Sequence, residues 1–376
     1  MSEDLSQPGN SKGVARVRVL ALVFVFLLLA MGAATAGFYW LQYAFFAPGP
    51  AQTPIRVQVD QGASVRTVLT QLAGHGALAN TRAVELYLRI HGRRPKVLAG
   101  MYEIPPRASA AQILELFEQG KVILEQLTVV EGSTFADFRR ELDQHAAVTH
   151  TLTGKTPAEV MAAIGHTGEN PEGRFFPDTY RFAAKTTDHD ILLLAYNSMQ
   201  KLLETAWPQH SPNLPFDTPY QALILASIVE KETGLAAERP RIAGVFVSRL
   251  RKGMRLQSDP TVIYGLGASY DGDIRTRDLV TDTPYNTYTR AGLPPTPIAL
   301  PGRESILAAL HPLDTGELYF VATASGDGGH HFSKTLEEHN AAVREYLTRL
   351  RRQETGPARP AGTVAPAARP GAHGAK

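Results

Sequence analysis

Glu230 and Glu232, with Lys231 between them, end a stretch that otherwise has no room for charge, since Tyr220 to Val229 reads YQALILASIV. Thr218-Pro219 supplies an N-cap and a proline at the first helical position, and Gly234 supplies a stop. The spacing therefore predicts a helix of about four turns from Pro219 to Thr233. An apolar surface all the way round means burial. A carboxylate in the last turn is pushed towards protonation by partial burial and by the negative end of the helix dipole. A raised pKa is what a general acid working near neutral pH requires. The same residues equally fit the solvated end of an ordinary core helix. Two residues along a helix are roughly 200° apart around its axis, so the two glutamates face opposite ways. They cannot flank one bond across roughly 5–10 Å, as the paired carboxylates of most glycosidases do. One is then available for catalysis while the other makes a salt bridge or meets water.

Other polar groups lie downstream. Gln257, Ser258 and Asp259 precede Pro260, and Asp259 is placed either to cap a short helix from Pro260 to Tyr264 or to orient sugar hydroxyls. Tyr285, Asn286, Thr287 and Tyr288 mix amide, hydroxyl and aromatic groups, which suits a carbohydrate groove and equally suits the fixing of a loop. Gly292 to Gly302 contains four prolines, a stiff segment able to wall a cleft at little ordering cost. His330, beside two glycines, is a further candidate to line a site. His330, His331 and His339 lack the spacing of a metal-binding motif such as H-E-x-x-H, and no metal or cofactor is expected. There is no cysteine, which excludes disulfides, thiolate metal sites and cysteine nucleophiles.

The stretches ASIVEKETG (from Ala226) and ERPRIAGVFVSRLRKGMRLQSDPTVIYGLG (from Glu238) closely resemble the YceG-like family of endolytic murein transglycosylases. The resemblance continues through PYNTYTRAGLPPTPIALPG (from Pro284), AALHP (from Ala308), LYFVA (from Leu318) and GGHHFSKTLEEHN (from Gly329). The earlier EGSTF (from Glu131) and GRFFPDTY (from Gly173) fit as well. His330-His331 stands where the family usually has one histidine. The resemblance implies an enzyme that cuts the bond from N-acetylmuramic acid to N-acetylglucosamine within nascent peptidoglycan strands without water. One glutamate protonates the leaving oxygen, and the muramic 6-hydroxyl then attacks its own anomeric carbon to give a 1,6-anhydro end. A single carboxylate suffices, in keeping with the opposed pair. By the family's motif the catalytic role falls on Glu230, the first glutamate of EKET, with Glu232 as the fallback. Gln257, Asp259, Tyr264, Asn286, Tyr288 and His330 are the expected substrate-binding residues. Implied partners are peptidoglycan strands and peptidoglycan synthases. A hydrolytic muramidase and a catalytically idle scaffold that recruits synthases are the rival readings.

The elements that must position these groups follow from the rest of the chain. In 376 residues, 38 basic and 36 acidic side chains nearly cancel, so no nucleic-acid surface is implied. No charged residue occurs between Arg18 and Arg56. Within that window Val19 to Trp40 matches the roughly 20 residues that span hydrocarbon, with Lys12, Arg16 and Arg18 before it and aromatics after it. This predicts a single-pass anchor in the inner membrane with a cytoplasmic N-terminus (residues 1–18) and an exported remainder. A signal peptide cleaved near Ala36 is the alternative. Residues 355–376, rich in Pro, Ala and Gly, are expected to be a disordered tail. Between them an α+β fold is expected. A strand from Ile55 to Val59, two helices and a strand from Leu98 to Ile104 resemble a LysM module over residues 54–106, implying glycan affinity. A larger catalytic domain follows over residues 107–350.

Overall fold

The computed structural model describes residues 11–355, so most of the expected cytoplasmic tail and the expected disordered tail lie outside the described residues. Two compact units divide the chain after Glu125.

The first unit opens with helix α1 (Ser11–Phe46), longer at both ends than the expected span from Val19 to Trp40. Its side chains from Arg16 to Trp40 are exposed, as suits an apolar helix meeting lipid. Its last turns are different. Leu41 and Phe45 are buried, Phe45 with 0% of its surface exposed, and the Phe45 ring stacks on Tyr87 at 3.9 Å between centroids. Strand β1 (Ile55–Val59) follows, then α2 (Val65–Gly74), α3 (Thr81–Ile90) and strand β2 (Gly100–Ile104). The two strands pair antiparallel, with Val57 opposite Tyr102. Alternation of Val57 and Val59 with Arg56 and Gln58 buries one face only, as the period of a half-buried strand requires. Ser64 and Asn80 cap the helices, accepting from Thr67 and Ala83 N–H at 3.1 Å each, which stabilises each by about 1 kcal/mol. The strand–helix–helix–strand order is as expected, with β2 starting two residues later than Leu98.

Helix α4 (Ala110–Glu118) belongs to this unit rather than to the second one. Its apolar face, Ile113, Leu114 and Phe117, completes the core around Leu69, Leu72 and Tyr102. The expected boundary after Pro106 therefore shifts to residue 125, because the βααβ core is incomplete without that helix.

Strand β3 (Leu124–Thr128) crosses the boundary into the second unit, which continues with α5 (Phe135–Gln144), α6 (Pro157–Ala163), β4 (Thr179–Ala183), α7 (Asp188–Ala206) and α8 (Pro219–Glu232). There follow α9 (Arg239–Arg251), α10 (Asp259–Leu266), α11 (Thr276–Val280), α12 (Arg303–Leu310), β5 (Tyr319–Ala322), β6 (His330–Ser333) and α13 (Leu336–Thr355). Its sheets are small, the pairs β3–β4 and β5–β6, so helices carry the fold. At the centre stands α8, packed against α9, α10 and α12. Thr218 and Gln221 form its capping box, with Pro219 in the first turn. Ala222 through Val229 are all buried. Each large aliphatic side chain removed from water here contributes about 1.5–3 kcal/mol. Ser227 Oγ, inside that core, accepts the Ile298 N–H at 3.0 Å and so fixes the proline-rich segment against the helix.

The stop at the end of α8 differs from expectation. Thr233 turns to an extended conformation (φ −144°, ψ 137°), and Gly234 does not adopt a left-handed one. At α9, Gly244 is required by close approach, since a Cβ there would lie 2.0 Å from the Leu313 carbonyl oxygen.

Candidate active site

The two glutamates of α8 do face opposite ways, and their surroundings differ in kind. Glu230 has a side chain only 5% exposed. It accepts from Arg239 Nη2 at 3.1 Å and from the Gly302 N–H at 2.9 Å. Arg239, on the first turn of α9, also lies 3.9 Å from Glu131. Beside them, Lys231 Nζ donates to the Gly132 carbonyl at 3.1 Å, while Gly132 N–H and Leu300 N–H exchange bonds with Leu300 and Ser133. Burial, reinforced by Glu230 and Glu304, raises the pKa of Glu131 against the opposing pull of Arg239. Glu230, through Arg239 and the Gly302 N–H, thus clamps α8 to α9 and to the loop before α12.

Glu232 sits among the residues expected to bind sugar. Ser258 Oγ donates to its Oε1 at 2.5 Å. Ser258 N–H is held by Thr287 Oγ1 at 3.0 Å, and Gln257 N–H by the Thr287 carbonyl at 3.1 Å. Gln257 is held at φ 54°, a costly conformation for a residue with a side chain, of the sort that clusters at functional sites. On the next turn, Tyr288 Oη donates to Asp259 Oδ1 at 2.5 Å. Burial raises the Glu232 pKa to about 7; the Ser258 hydrogen bond and Arg249 lower it, and Asp259 raises it. The residue as a whole is half-buried. Buried Arg249 stands behind this cluster, donating to Leu256 O and Leu318 O at 2.7 Å each and approaching Gln257 Oε1 at 3.4 Å. A carboxyl that burial pushes towards protonation, beside a hydroxyl, a second carboxyl group and a phenol, can donate a proton and then take one back.

Of the expected substrate-binding residues, the structure brings Gln257, Asp259 and Tyr288 to Glu232 and leaves the others elsewhere. Asn286 is 1% exposed, and its Nδ2 is committed to the carbonyls of Asp278, Leu279 and Thr281 at the end of α11. It fixes a loop and is not available to a ligand. Asp259 is the first residue of α10 rather than its cap; Ser258 holds the cap position but spends its hydroxyl on Glu232. Tyr264 belongs to a second network, packing edge-on to Tyr285 and donating to Glu172 Oε2 at 3.0 Å. His330 pairs with Glu238. The proline-rich segment does wall a cavity of about 520 Å³ with Tyr220 and Gln221, at the N-terminal end of α8, away from both glutamates.

Glu172 was missed by sequence reasoning. It is 5% exposed, joins the Phe135 N–H (2.9 Å) to the Tyr264 hydroxyl, and has its pKa raised to about 7 by burial. Its only local signal is a lone acid between Pro171 and Gly173. Both raised carboxyls make stability depend on pH. A carboxyl with a folded pKa above its unfolded value binds more protons when folded, so stability falls as pH rises from about 4.5 to about 7. Each group removes about 3 kcal/mol across that window. The melting temperature of the full chain should be higher at pH 5.5 than at pH 8, and Glu172→Gln should shrink the difference. An unchanged difference in that variant would mean Glu172 is ionised normally.

Among the described residues, Asp143, His150 and Asp188 have atoms spaced as metal ligands. The Asp188 oxygens, however, already accept from the Thr151 N–H and hydroxyl and from the Leu152 and His189 N–H groups, so the group is an ordinary loop clasp.

The profile of the YceG-like family matches residues 57–345. An endolytic murein transglycosylase of Bacillus subtilis (strain 168) is 31% identical over 323 residues, covering 79% of this chain and 86% of that protein. One from Streptococcus pneumoniae serotype 2 (strain D39) is 25% identical over 366 residues, covering 88% of this chain and 66% of its own length. A crystal structure of a YceG-like protein from Listeria monocytogenes shares 28% identity, covers 77% of this chain and 99% of its own, and superposes with a TM-score of 0.48. With the family profile spanning most of its length, the chain belongs to the YceG-like family.

Proposed function

We propose that this chain is an endolytic lytic transglycosylase of peptidoglycan and that Glu232 is its general acid. The observation that carries the assignment is the Glu232 carboxyl itself, raised to about 7 and hydrogen-bonded by Ser258 beside Asp259, Tyr288 and Gln257. The names of the Bacillus and pneumococcal relatives support the substrate class. Protonated Glu232 gives its proton to the glycosidic oxygen as the bond to the muramic anomeric carbon breaks. The resulting carboxylate takes the proton of the muramic 6-hydroxyl, whose oxygen closes onto that carbon. Atoms balance without water, and one carboxyl serves both steps. Asp259, Tyr288 and Gln257 are the groups proposed to hold the sugars. This moves the acid from Glu230 to Glu232. Both Glu230 oxygens are already taken, one by the Arg239 guanidinium and the other by the Gly302 N–H, whereas Glu232 lies among the groups proposed to hold the sugars.

Further parts of the reading rest on the first unit. The uncharged stretch of α1 from Val19 onward, with Arg16 and Arg18 before it, supports a single-pass anchor with the N-terminus cytoplasmic and the catalytic unit outside the inner membrane. The strand–helix–helix–strand order supports a LysM-like module with glycan affinity. Peptidoglycan synthases are the proposed protein partners. The test is mass spectrometry of uncrosslinked glycan strands incubated with the full chain in detergent. Anhydromuramic ends are expected. Reducing ends would identify a hydrolytic muramidase, and intact strands a binding scaffold.

A further inference from the structure

His330 opens β6, and its imidazole is held in a fixed orientation. Its Nδ1 lies 2.7 Å from Glu238 Oε2, and its backbone N–H donates to Glu238 Oε1 at 3.0 Å. Glu238 closes the short 3-10 turn Ala236–Glu238, six residues after Glu232. A carboxylate only accepts, so the hydrogen between Nδ1 and Oε2 belongs to the ring. In the neutral imidazole this leaves Nε2 as an acceptor. The Phe320 and Phe332 rings stand edge-on to the imidazole at 5.5 and 6.4 Å and hold its plane. The side chain is 13% exposed, and no described group bonds to Nε2. The β5–β6 hairpin is tied to the Glu232 cluster, because Arg249 binds both Leu318, just before β5, and Leu256, just before Gln257.

We propose that Glu238 orients His330 so that Nε2 accepts a hydrogen bond from a hydroxyl of the carbohydrate substrate, with His330 a substrate contact and Glu238 a positioning residue. The inference rests on the carbohydrate-substrate reading given above. An oriented imidazole acceptor requires an O–H or N–H donor, which a sugar ring offers along its rim and a phosphate or carboxylate does not. Both oxygens of Glu238 are engaged by one residue, which explains why a glutamate is needed. A glutamine there can accept at one position only. Its amide would then donate to Nδ1, moving the ring hydrogen to Nε2 and turning an acceptor into a donor.

The test measures affinity rather than turnover. Full-length chain in detergent, carrying Glu232→Gln so that strands stay intact, is titrated calorimetrically with uncrosslinked glycan strands. Adding His330→Asn, whose amide can still meet Glu238 but which lacks the Nε2 position, should weaken binding about 3- to 10-fold. Glu238→Gln should weaken it by a similar factor, and the two together by no more than either alone. His330→Gln, which restores an acceptor near the Nε2 position, should recover part of the loss. A purely structural role would lower the melting temperature in the Glu238 variant and leave affinity unchanged, which overturns the proposal. Weakening by His330→Asn but not by Glu238→Gln removes the orienting role. A parent that binds no strands defeats the carbohydrate reading itself and this inference with it, an outcome visible before any variant is compared.

Discussion

Glu232→Gln is expected to reduce the yield of cleaved glycan ends by at least about 10⁴-fold, the upper end of what general acid–base assistance supplies, because one group performs both proton transfers. Gln keeps an acceptor for the Ser258 hydroxyl, and it removes a carboxyl whose ionisation burial opposes. The variant should therefore melt no lower than the parent at pH 8. Turnover by the parent should fall as pH rises through about 7, since the donating form is the protonated one. Glu230→Gln still accepts the Gly302 N–H and should retain activity within about tenfold once matched for folded fraction. Rates of end formation for both variants, measured beside their melting curves, check the assignment. Collapse in Glu230→Gln with near-normal turnover in Glu232→Gln would return the acid to Glu230.

The largest stability effect is expected from Arg239→Met. The guanidinium is the counter-charge of Glu230 inside the second unit, and Glu131 stands close by with the same sign as Glu230. Removing one partner of a buried pair costs about 3–5 kcal/mol, because the remaining charge keeps its desolvation penalty. In a unit of this size that lowers the melting temperature by roughly 10 °C. Adding Glu230→Gln should restore most of the loss, since the stranded charge is then gone and the glycine N–H keeps its acceptor. A single Arg239→Met variant melting within a degree of the parent would show that the pair contributes nothing.

Local chemistry was legible in the sequence. Thr218 with Pro219 acts within three residues of itself and caps the helix expected of it. The opposition of Glu230 and Glu232 follows from helix geometry alone. Which of them faces the residues expected to bind sugar did not follow. That is decided by Arg239 and Gly302, nine and 72 residues from Glu230, and by Ser258, 26 residues from Glu232. Glu172 escaped notice for the same reason, its partners lying 37 and 92 residues away. Asn286 carries a sugar-like amide, but the backbone carbonyls of α11 claim it first. Helix α4 is amphipathic, with Ile113, Leu114 and Phe117 on its apolar face, yet nothing in its own residues says whose core that face completes.

The burial of Phe45 against Tyr87 has a consequence for how the protein would search its surroundings. A module on a flexible leash sweeps a hemisphere above the bilayer and meets strands at any height within its reach. Here the proposed anchor passes without a hinge into the core of the first unit, because Leu41 and Phe45 on the same helix are part of that core. Such a unit spins about the membrane normal and diffuses in the plane, while its height stays fixed. Its encounters become two-dimensional. The strands it samples are those running close to the lipid headgroups, where newly made glycan first emerges from the membrane.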